Sequence, residues 1–183
     1  MVNNIPLHKP LLVGIGGAGL TIVSQLETRF NNKTFLAICS DYISLSYSTF
    51  QNNILIKVDE TEYSLIHITP IAERITQLEK INIEQILNDF NPIIIIAGVG
   101  GKTGSYISPA VASLSKSIGK IVIGIFITPF YWQGVERLKI SDASLYVFNS
   151  ILKLSIAYSN ELSLRIANPH SGFEENLNLY LIK

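Results

Sequence analysis

The sequence predicts an α/β fold in which a doubly wound, mostly parallel sheet lies between two layers of helices. Apolar runs alternate with amphipathic segments along the 183-residue chain, as expected of strands joined by crossover helices. The runs at residues 93–97 and 121–127 are apolar throughout, which is typical of parallel strands covered on both faces. A strand followed by a glycine-rich turn and a helix occurs twice, at residues 11–21 and 93–109.

The order of these segments predicts where each element lies. We expect strands at residues 11–14, 35–40, 51–58, 93–97 and 121–127. We expect helices at residues 19–30, 71–90, 105–118 and 141–154, the second of them in two pieces with a break around residues 80–82. In a sheet of this kind, ligands bind beside the carboxyl ends of the strands.

Composition limits the class of protein. Hydrophobic residues make up 48% of the chain and charged residues 15%, so residues 1–183 are expected to form a single domain with a large core. The formal net charge is zero, which gives no electrostatic reason to expect nucleic acid or an anionic membrane as a partner. Cys39 is the only cysteine, so no intrachain disulfide can form. We see no signal peptide and no membrane-spanning stretch, and expect a cytoplasmic protein without direct membrane insertion.

The two glycine-rich turns indicate a site for phosphate groups. Glycine allows backbone N–H groups to surround an anion, and the helix that follows adds the positive end of its dipole. The first turn, residues 14–19, satisfies G-x-G-x-x-G, and Asp41 follows the next strand. That arrangement also fits a Rossmann-type dinucleotide site, in which the acid binds a ribose hydroxyl.

The second turn contains Gly101-Lys102-Thr103, which suggests a Walker A motif. The register fails, because the motif needs glycine at position 96, where this chain has Ile96. No later strand ends in a carboxylate that could serve as Walker B. We therefore do not expect a P-loop nucleoside triphosphatase.

Three motifs together resemble the tubulin/FtsZ superfamily, and bacterial FtsZ in particular. Residues 14–19 are similar to its first phosphate loop, and residues 97–109 to its Gly-Gly-Gly-Thr-Gly signature loop. Residues 129–137, Pro-Phe-Tyr-Trp-Gln-Gly-Val-Glu-Arg, resemble the segment after its next strand. The motifs occur in the family's order, and the resemblance covers residues 11 to about 173.

The resemblance implies that the ligand is GTP or GDP, with or without Mg²⁺. Backbone groups of the first turn would bind the α- and β-phosphates, and those of the second turn would hold the phosphates from the other side, with the Thr103 and Ser105 hydroxyls added. Gln133 and Arg137 would contact the ribose, and Phe173 with Asn176 or Asn178 would contact the base. The implied binding residues are Gly16, Gly17, Ala18, Gly19, Gly100, Gly101, Lys102, Thr103, Gly104, Ser105, Gln133, Arg137, Phe173 and Asn176.

This chain departs from the family pattern at three positions. Lys102 and Tyr106 replace glycines. The Lys102 ammonium would either reach the β- or γ-phosphate or face solvent, and the Tyr106 ring would fill space that nucleotide or a packed helix otherwise occupies. Gln133 replaces a glutamate, so we expect weaker ribose binding.

The elements that the family uses for hydrolysis are not visible in the sequence. Residues 54–66 contain no glycine, so the γ-phosphate loop is not apparent. The acidic residues there, Asp59, Glu60 and Glu62, are more typical of solvated surface. By the resemblance, we expect residue 183 to fall near the start of the family's central helix, before the catalytic loop and C-terminal domain. The three histidines and the cysteine form no recognisable metal or nucleophile group.

We therefore expect a nucleotide-binding protein linked to cell division or cytoskeletal assembly, with weak or no GTP hydrolysis of its own. Its expected partners are itself or a full-length FtsZ-like protein. Two alternatives stay open at this point. One is a nucleotide-free FtsZ-like protein that acts through protein contacts, and the other is a Rossmann-type dinucleotide-binding protein.

Overall fold

The computed structural model describes residues 9–30, 35–46, 52–57 and 70–164. Within these ranges, six strands form one sheet. They are β1 (Leu11–Ile15), β2 (Phe35–Cys39), β3 (Asn53–Leu55), β4 (Ile93–Gly98), β5 (Val122–Thr128) and β6 (Leu154–Ser159). Their order across the sheet is β3-β2-β1-β4-β5-β6, and every neighbouring pair is parallel. The predicted α/β class is confirmed.

Helices cover both faces of the sheet. They are α1 (Gly16–Phe30), α2 (Tyr42–Ser46), α3 (Gln77–Leu87), α4 (Lys102–Ser117), α5 (Val135–Ile151) and α6 (Asn160–Leu164). One buried cluster joins α1 and α2 to the sheet and contains Leu20, Val23 and Leu45. A larger cluster on the opposite face includes Ile83 of α3 and Phe148 of α5. The domain therefore has the predicted three layers.

The strand order places a crevice between β1 and β4. From β1 the sheet continues through β2 to β3 on one side, whereas β4, β5 and β6 follow on the other. Because the crossovers on either side of this point lead away from each other, the carboxyl ends of β1 and β4 border an open crevice. This is the usual ligand position in a doubly wound sheet.

Two helices begin earlier than the sequence predicted. α1 begins at Gly16 and α4 at Lys102, whereas the predicted starts were residues 19 and 105. Glycine has a low helix propensity, so the sequence predicts loops at these glycines. In the fold they form the first helical turns, because they let each helix pack directly on β4. A Cβ atom added at Gly19 would lie 2.3 Å from the carbonyl oxygen of Ile96.

The predicted break around residues 80–82 is wrong. α3 is continuous, and the interruption lies earlier, between a 3-10 turn at Ile71–Glu73 and the helix. The helix begins with a capping box: the Thr76 hydroxyl accepts from the Glu79 N–H at 3.3 Å, and the Glu79 carboxylate accepts from the Thr76 N–H at 2.7 Å. This reciprocal pair satisfies backbone donors that the first turn would otherwise leave without partners.

The carboxyl-terminal part of the fold also differs from the prediction. α5 covers Val135–Ile151 instead of residues 141–154, and the strand β6 was not predicted. β6 pairs with β5 from Ile123↔Leu154 to Thr128↔Ser159. As an edge strand with Leu154 and Ile156 exposed, it lacks the continuous buried pattern by which β4 and β5 were recognised. The short helix α2 was missed too.

Candidate functional site

A cavity of about 360 Å³ lies at the carboxyl edge of the sheet, between the starts of α1 and α4. The ends of β1, β4 and β5 contribute Ile15, Gly98 and Ile127 to its wall. The other lining residues are Gly16, Gly17, Ala18, Val99, Gly100, Gly101, Lys102, Thr103, Gly104, Pro129, Gln133, Arg137 and Asn160.

Ten of the fourteen predicted residues line the cavity, and Ala18 is among them, beside the end of β4. Gly19 and Ser105 are not brought to the cavity. Phe173 and Asn176, like Asn178, lie outside the described residues, as do Asp59, Glu60 and Glu62.

The starts of α1 and α4 form two walls of the cavity, and they touch each other. Gly16 and Gly100 have positive φ angles of 71° and 94°, a conformation that glycine adopts without strain. A Cβ atom at Gly16 would lie 3.2 Å from the backbone nitrogen of Gly104 and 3.3 Å from the Thr103 Cβ. The first turn of a helix leaves its N–H groups without intrahelical acceptors, so two sets of backbone donors converge on one space.

Gly17 and Gly101 differ from the other glycines of the two turns. Both line the cavity, neither has a positive φ angle, and a Cβ atom added at either would meet no atom within 4 Å. Neither packing nor backbone conformation therefore requires glycine at these positions. The open space beside them allows a ligand to approach the backbone closely.

Gly19 and Gly104 serve packing. An added Cβ atom at Gly104 would lie 2.0 Å from the carbonyl oxygen of Gly98, and the corresponding distance from Gly19 to the Ile96 carbonyl oxygen is 2.3 Å. Because glycine has no Cβ atom, the starts of both helices can lie directly against β4.

The side chains of the second turn have three different surroundings. The hydroxyl oxygens of Thr103 and Ser40 lie 2.5 Å apart, which links α4 to the end of β2. Ser105 is fully buried, and its hydroxyl accepts from the Gly100 N–H at 2.8 Å. Ser105 therefore supports the turn from within instead of facing the cavity, whereas Lys102 is exposed at the cavity wall.

The remaining wall comes from the segment between β5 and α5. The Gln133 side-chain oxygen accepts from the Phe130 N–H at 3.2 Å, which leaves its NH₂ group and one oxygen lone pair for a ligand. The first turn of α5 lies directly against the β4–α4 turn, because a Cβ atom at Gly100 would be 2.8 Å from the Arg137 carbonyl oxygen. Sequence reasoning missed Asn160, which follows the end of β6, because it did not predict that strand.

Tyr106 does not fill the cavity. Its side chain is 1% exposed and belongs to the core between α4 and the sheet. The Arg74 guanidinium lies 4.9 Å from the centre of the ring, and its Nη1 donates to the Tyr106 carbonyl oxygen at 3.3 Å. Burial lowers the pKa of Arg74, and the Tyr106 hydroxyl opposes that shift. Tyr106 thus connects α4 to the segment before α3.

Two further features are absent from the described residues. No group of three or more histidine, cysteine, aspartate or glutamate residues in these ranges could hold a metal ion. None of the helices described is both long and apolar enough to cross a membrane.

Comparison with known proteins defines the class. Residues 10–168 match the model of the Tubulin/FtsZ family, GTPase domain. The chain therefore belongs to the tubulin/FtsZ family, and the resemblance drawn from its three motifs is confirmed.

Relatives and solved structures agree with this assignment. The cell division protein FtsZ of Rickettsia felis is 29% identical over 175 residues, which cover 94% of this chain and 39% of the relative. An FtsZ dimer of M. jannaschii superposes with a TM-score of 0.76 at 24% identity, covering 96% of this chain and 52% of that one. For CetZ2 from Haloferax volcanii, in a GTPγS-bound protofilament, the TM-score is 0.75 at 17% identity, covering 95% and 55%. The chain thus spans about two fifths to just over half the length of these proteins.

Proposed function

We propose that the cavity binds a guanine nucleotide, GDP or GTP, and that the protein acts in the assembly of division or cytoskeletal filaments. One observation carries the proposal: the starts of α1 and α4 meet at a single cavity, and each has a glycine with open space beside it. The family match and the GTPγS-bound protofilament among the similar structures favour guanine nucleotide over other phosphate ligands.

The phosphates would lie between the two turns. The N–H groups of Gly16, Gly17 and Ala18 approach from α1, and those of residues 101–104 approach from α4. Both helix dipoles have their positive ends at the same place, which favours an anion. The absence of side chains at Gly17 and Gly101 lets phosphate oxygens reach hydrogen-bonding distance of the backbone.

The ribose and base would extend toward the β5–α5 segment. Gln133 would donate its NH₂ group to a ribose hydroxyl, and the exposed Arg137 would add a positive charge at the same wall. Asn160 lies on the cavity wall at the end of β6, where its amide would contact the ribose or base. Phe173 and Asn176 remain our proposed base contacts.

We propose that hydrolysis by the protein alone is slow or undetectable. Among the cavity-lining residues that the structure describes, none has a carboxylate or imidazole group that could activate water. Phosphoryl transfer depends on positioning and charge stabilisation of the attacking water and the transferred group. A phosphate-release assay should show turnover far below that of an assembling FtsZ, and comparable turnover would contradict this part of the proposal.

Assembly would involve another copy of the protein or a full-length FtsZ-like relative. Similar structures include an FtsZ dimer and a CetZ2 protofilament. Sedimentation of the protein with a full-length relative tests this directly. Nucleotide-dependent co-pelleting is the expected result, and its absence, both alone and with the relative, would contradict the proposed partners.

Binding itself is tested by calorimetry with GDP, GTP, ATP and NAD, alongside fluorescence of Trp132. That side chain is 65% exposed, stacks on Phe130 with ring centres 5.2 Å apart, and adjoins Gln133. We expect saturable binding that prefers GDP and GTP to ATP and NAD. A preference for NAD would favour the dinucleotide alternative, and a lack of heat with all four ligands would favour a protein that acts through contacts alone.

A further inference from the structure

A pair of hydroxyl groups links the cavity wall to the end of β2. Thr103, the second residue of α4, lines the cavity, whereas Ser40 directly follows β2 and is not among the lining residues. Both side chains are half-buried, and their hydroxyl oxygens lie 2.5 Å apart. This separation is at the short end of the range for O–H···O hydrogen bonds, so the two hydroxyls share a close hydrogen bond.

Ser40 is held in place by the residues on either side of it. The Cys39 carbonyl oxygen accepts from the Ile56 N–H at 2.8 Å, which anchors the chain before Ser40. The Asp41 carboxylate accepts from the Ile43 N–H at 3.0 Å, which fixes the turn after it. A group that is supported in this way can orient a neighbouring side chain.

Thr103 lies between Ser40 and the start of α1. A Cβ atom added at Gly16 would be 3.3 Å from the Thr103 Cβ, so the Thr103 side chain adjoins the place where the two glycine turns meet. Threonine in helices divides between two χ1 rotamers, and the contact with Ser40 holds Thr103 in one of them. A fixed rotamer also fixes the position of the Thr103 hydroxyl oxygen.

The direction of this hydrogen bond matters for an anionic ligand. A hydroxyl has one proton to donate and two lone pairs. If Thr103 donates to Ser40, it has only lone pairs left for the cavity, and these repel a phosphate oxygen. If Ser40 donates to Thr103, the Thr103 proton is available to the phosphate. A phosphate oxygen therefore favours the second arrangement, in which each hydrogen bond strengthens the next.

We propose that Ser40 is a positioning residue for the phosphate site. Its hydroxyl donates to the Thr103 Oγ1 atom and so directs the Thr103 proton at a phosphate oxygen of the nucleotide. Ser40 acts only through Thr103. The inference rests on the proposed guanine-nucleotide function and identifies a residue outside the cavity wall that sets the affinity of that site.

The test is a double-mutant cycle, measured by calorimetric titration of the full chain with GDP. Ser40→Ala should weaken binding about fivefold, because one neutral hydrogen bond is lost from the chain of donors. Thr103→Val should weaken it about tenfold or more, since it removes the hydroxyl that contacts the phosphate and keeps the shape of the side chain. In the Thr103→Val background, Ser40→Ala should change the Kd by less than about 1.5-fold.

Two further variants serve as controls. Ser40→Thr keeps the hydroxyl and should stay within about twofold of wild type. Ser46→Ala removes a hydroxyl of the following helix, α2, that donates to the Ile43 carbonyl oxygen at 2.7 Å, and it should leave the affinity unchanged. Thermal unfolding of each variant separates a loss of stability from a loss of affinity.

Each remaining outcome has a distinct meaning. Wild-type affinity of Ser40→Ala, with or without a loss of stability, would show that the pair only links α4 to β2, and it would overturn the inference. A Ser40→Ala effect that persists at full size in the Thr103→Val background would overturn it as well, because Ser40 would then act without Thr103. Both results leave the proposed function standing. If the wild type does not bind GDP, the proposed function itself fails and the inference fails with it.

Discussion

The two glycine turns have the same position in their strand–turn–helix units, but they are built differently. At the β1–α1 turn the lining residues offer almost only backbone, and the nearby Thr21 hydroxyl donates to the Gly17 carbonyl oxygen at 3.0 Å. The β4–α4 turn adds the Lys102 and Thr103 side chains and is supported from beneath by the Ser105 hydroxyl. The comparison indicates that the first turn supplies shape, whereas the second supplies shape and charge.

Substitution of a glycine that packs against β4 should have the largest effect on stability. Gly104→Ala places a methyl group where the Gly98 carbonyl oxygen lies, so we expect the free energy of unfolding to fall by about 3 kcal/mol or more. Urea unfolding measures this change. Gly101→Ala, three residues away in open space, is the matched control, and an equal loss of stability in both variants would contradict the division of roles.

The support beneath the second turn is tested at Arg74. Arg74→Met keeps a long apolar stem but loses the hydrogen bond to the Tyr106 carbonyl and the contact with its ring. We expect a loss of about 2 kcal/mol, since the contact is buried. Although burial lowers the pKa of Arg74, a guanidinium stays charged at neutral pH, so the loss should not vary across the neutral range. Arg29→Met, at an exposed position near the end of α1, should change stability by less than about 0.5 kcal/mol.

Substitution of a glycine beside open space should change the affinity for nucleotide and leave the stability of the fold unharmed. Gly17→Ala adds a helix-favouring residue to the first turn of α1, so stability should stay equal or rise by up to about 1 kcal/mol. We expect GDP affinity to fall about tenfold, because the methyl group occupies the phosphate approach. Calorimetry and thermal unfolding on the same preparation separate the two effects. Unchanged affinity would mean that the ligand does not contact this turn.

The smallest effect is expected at Gln133. Its side-chain oxygen already accepts from the Phe130 N–H. Gln133→Glu would keep that contact and would replace the NH₂ donor with a charged acceptor oxygen, so that the ribose hydroxyl would have to donate instead of accept. If a ribose hydroxyl donates to it, affinity for GDP should rise about fivefold, as a hydrogen bond to a charged group is stronger. The comparison of GDP with 2′-deoxy-GDP identifies the hydroxyl, and an equal gain for both would assign the effect to another ribose group.

Much of the fold could be predicted from sequence because the central strands carry an unambiguous signal. The isoleucine run of β4 is largely buried, with side chains in the cores on both faces of the sheet, and such a run is typical of a central parallel strand. The edge strand β6 has mixed, partly exposed residues, so local pattern could not separate it from the end of the preceding helix. Asn160 was missed for the same reason.

The roles of individual glycines could not be read from the motif. Gly101 and Gly104 are the same residue type in the same motif. An added Cβ atom at Gly101 would nevertheless meet no atom within 4 Å, whereas one at Gly104 would lie against the Gly98 carbonyl oxygen. Likewise, the sequence placed the Ser105 hydroxyl among the phosphate contacts, whereas the fold directs it to the Gly100 N–H. These distinctions depend on how closely two helices approach β4, which is a tertiary property.

The central claim is that both turns hold the phosphates of one nucleotide. It is tested most directly by following the backbone amide signals of Gly17 and Gly101 in ¹⁵N-labelled protein during a GDP titration. We expect both signals to move and to follow the same saturation curve. Movement at only one turn, or at neither while calorimetry reports binding, would contradict it.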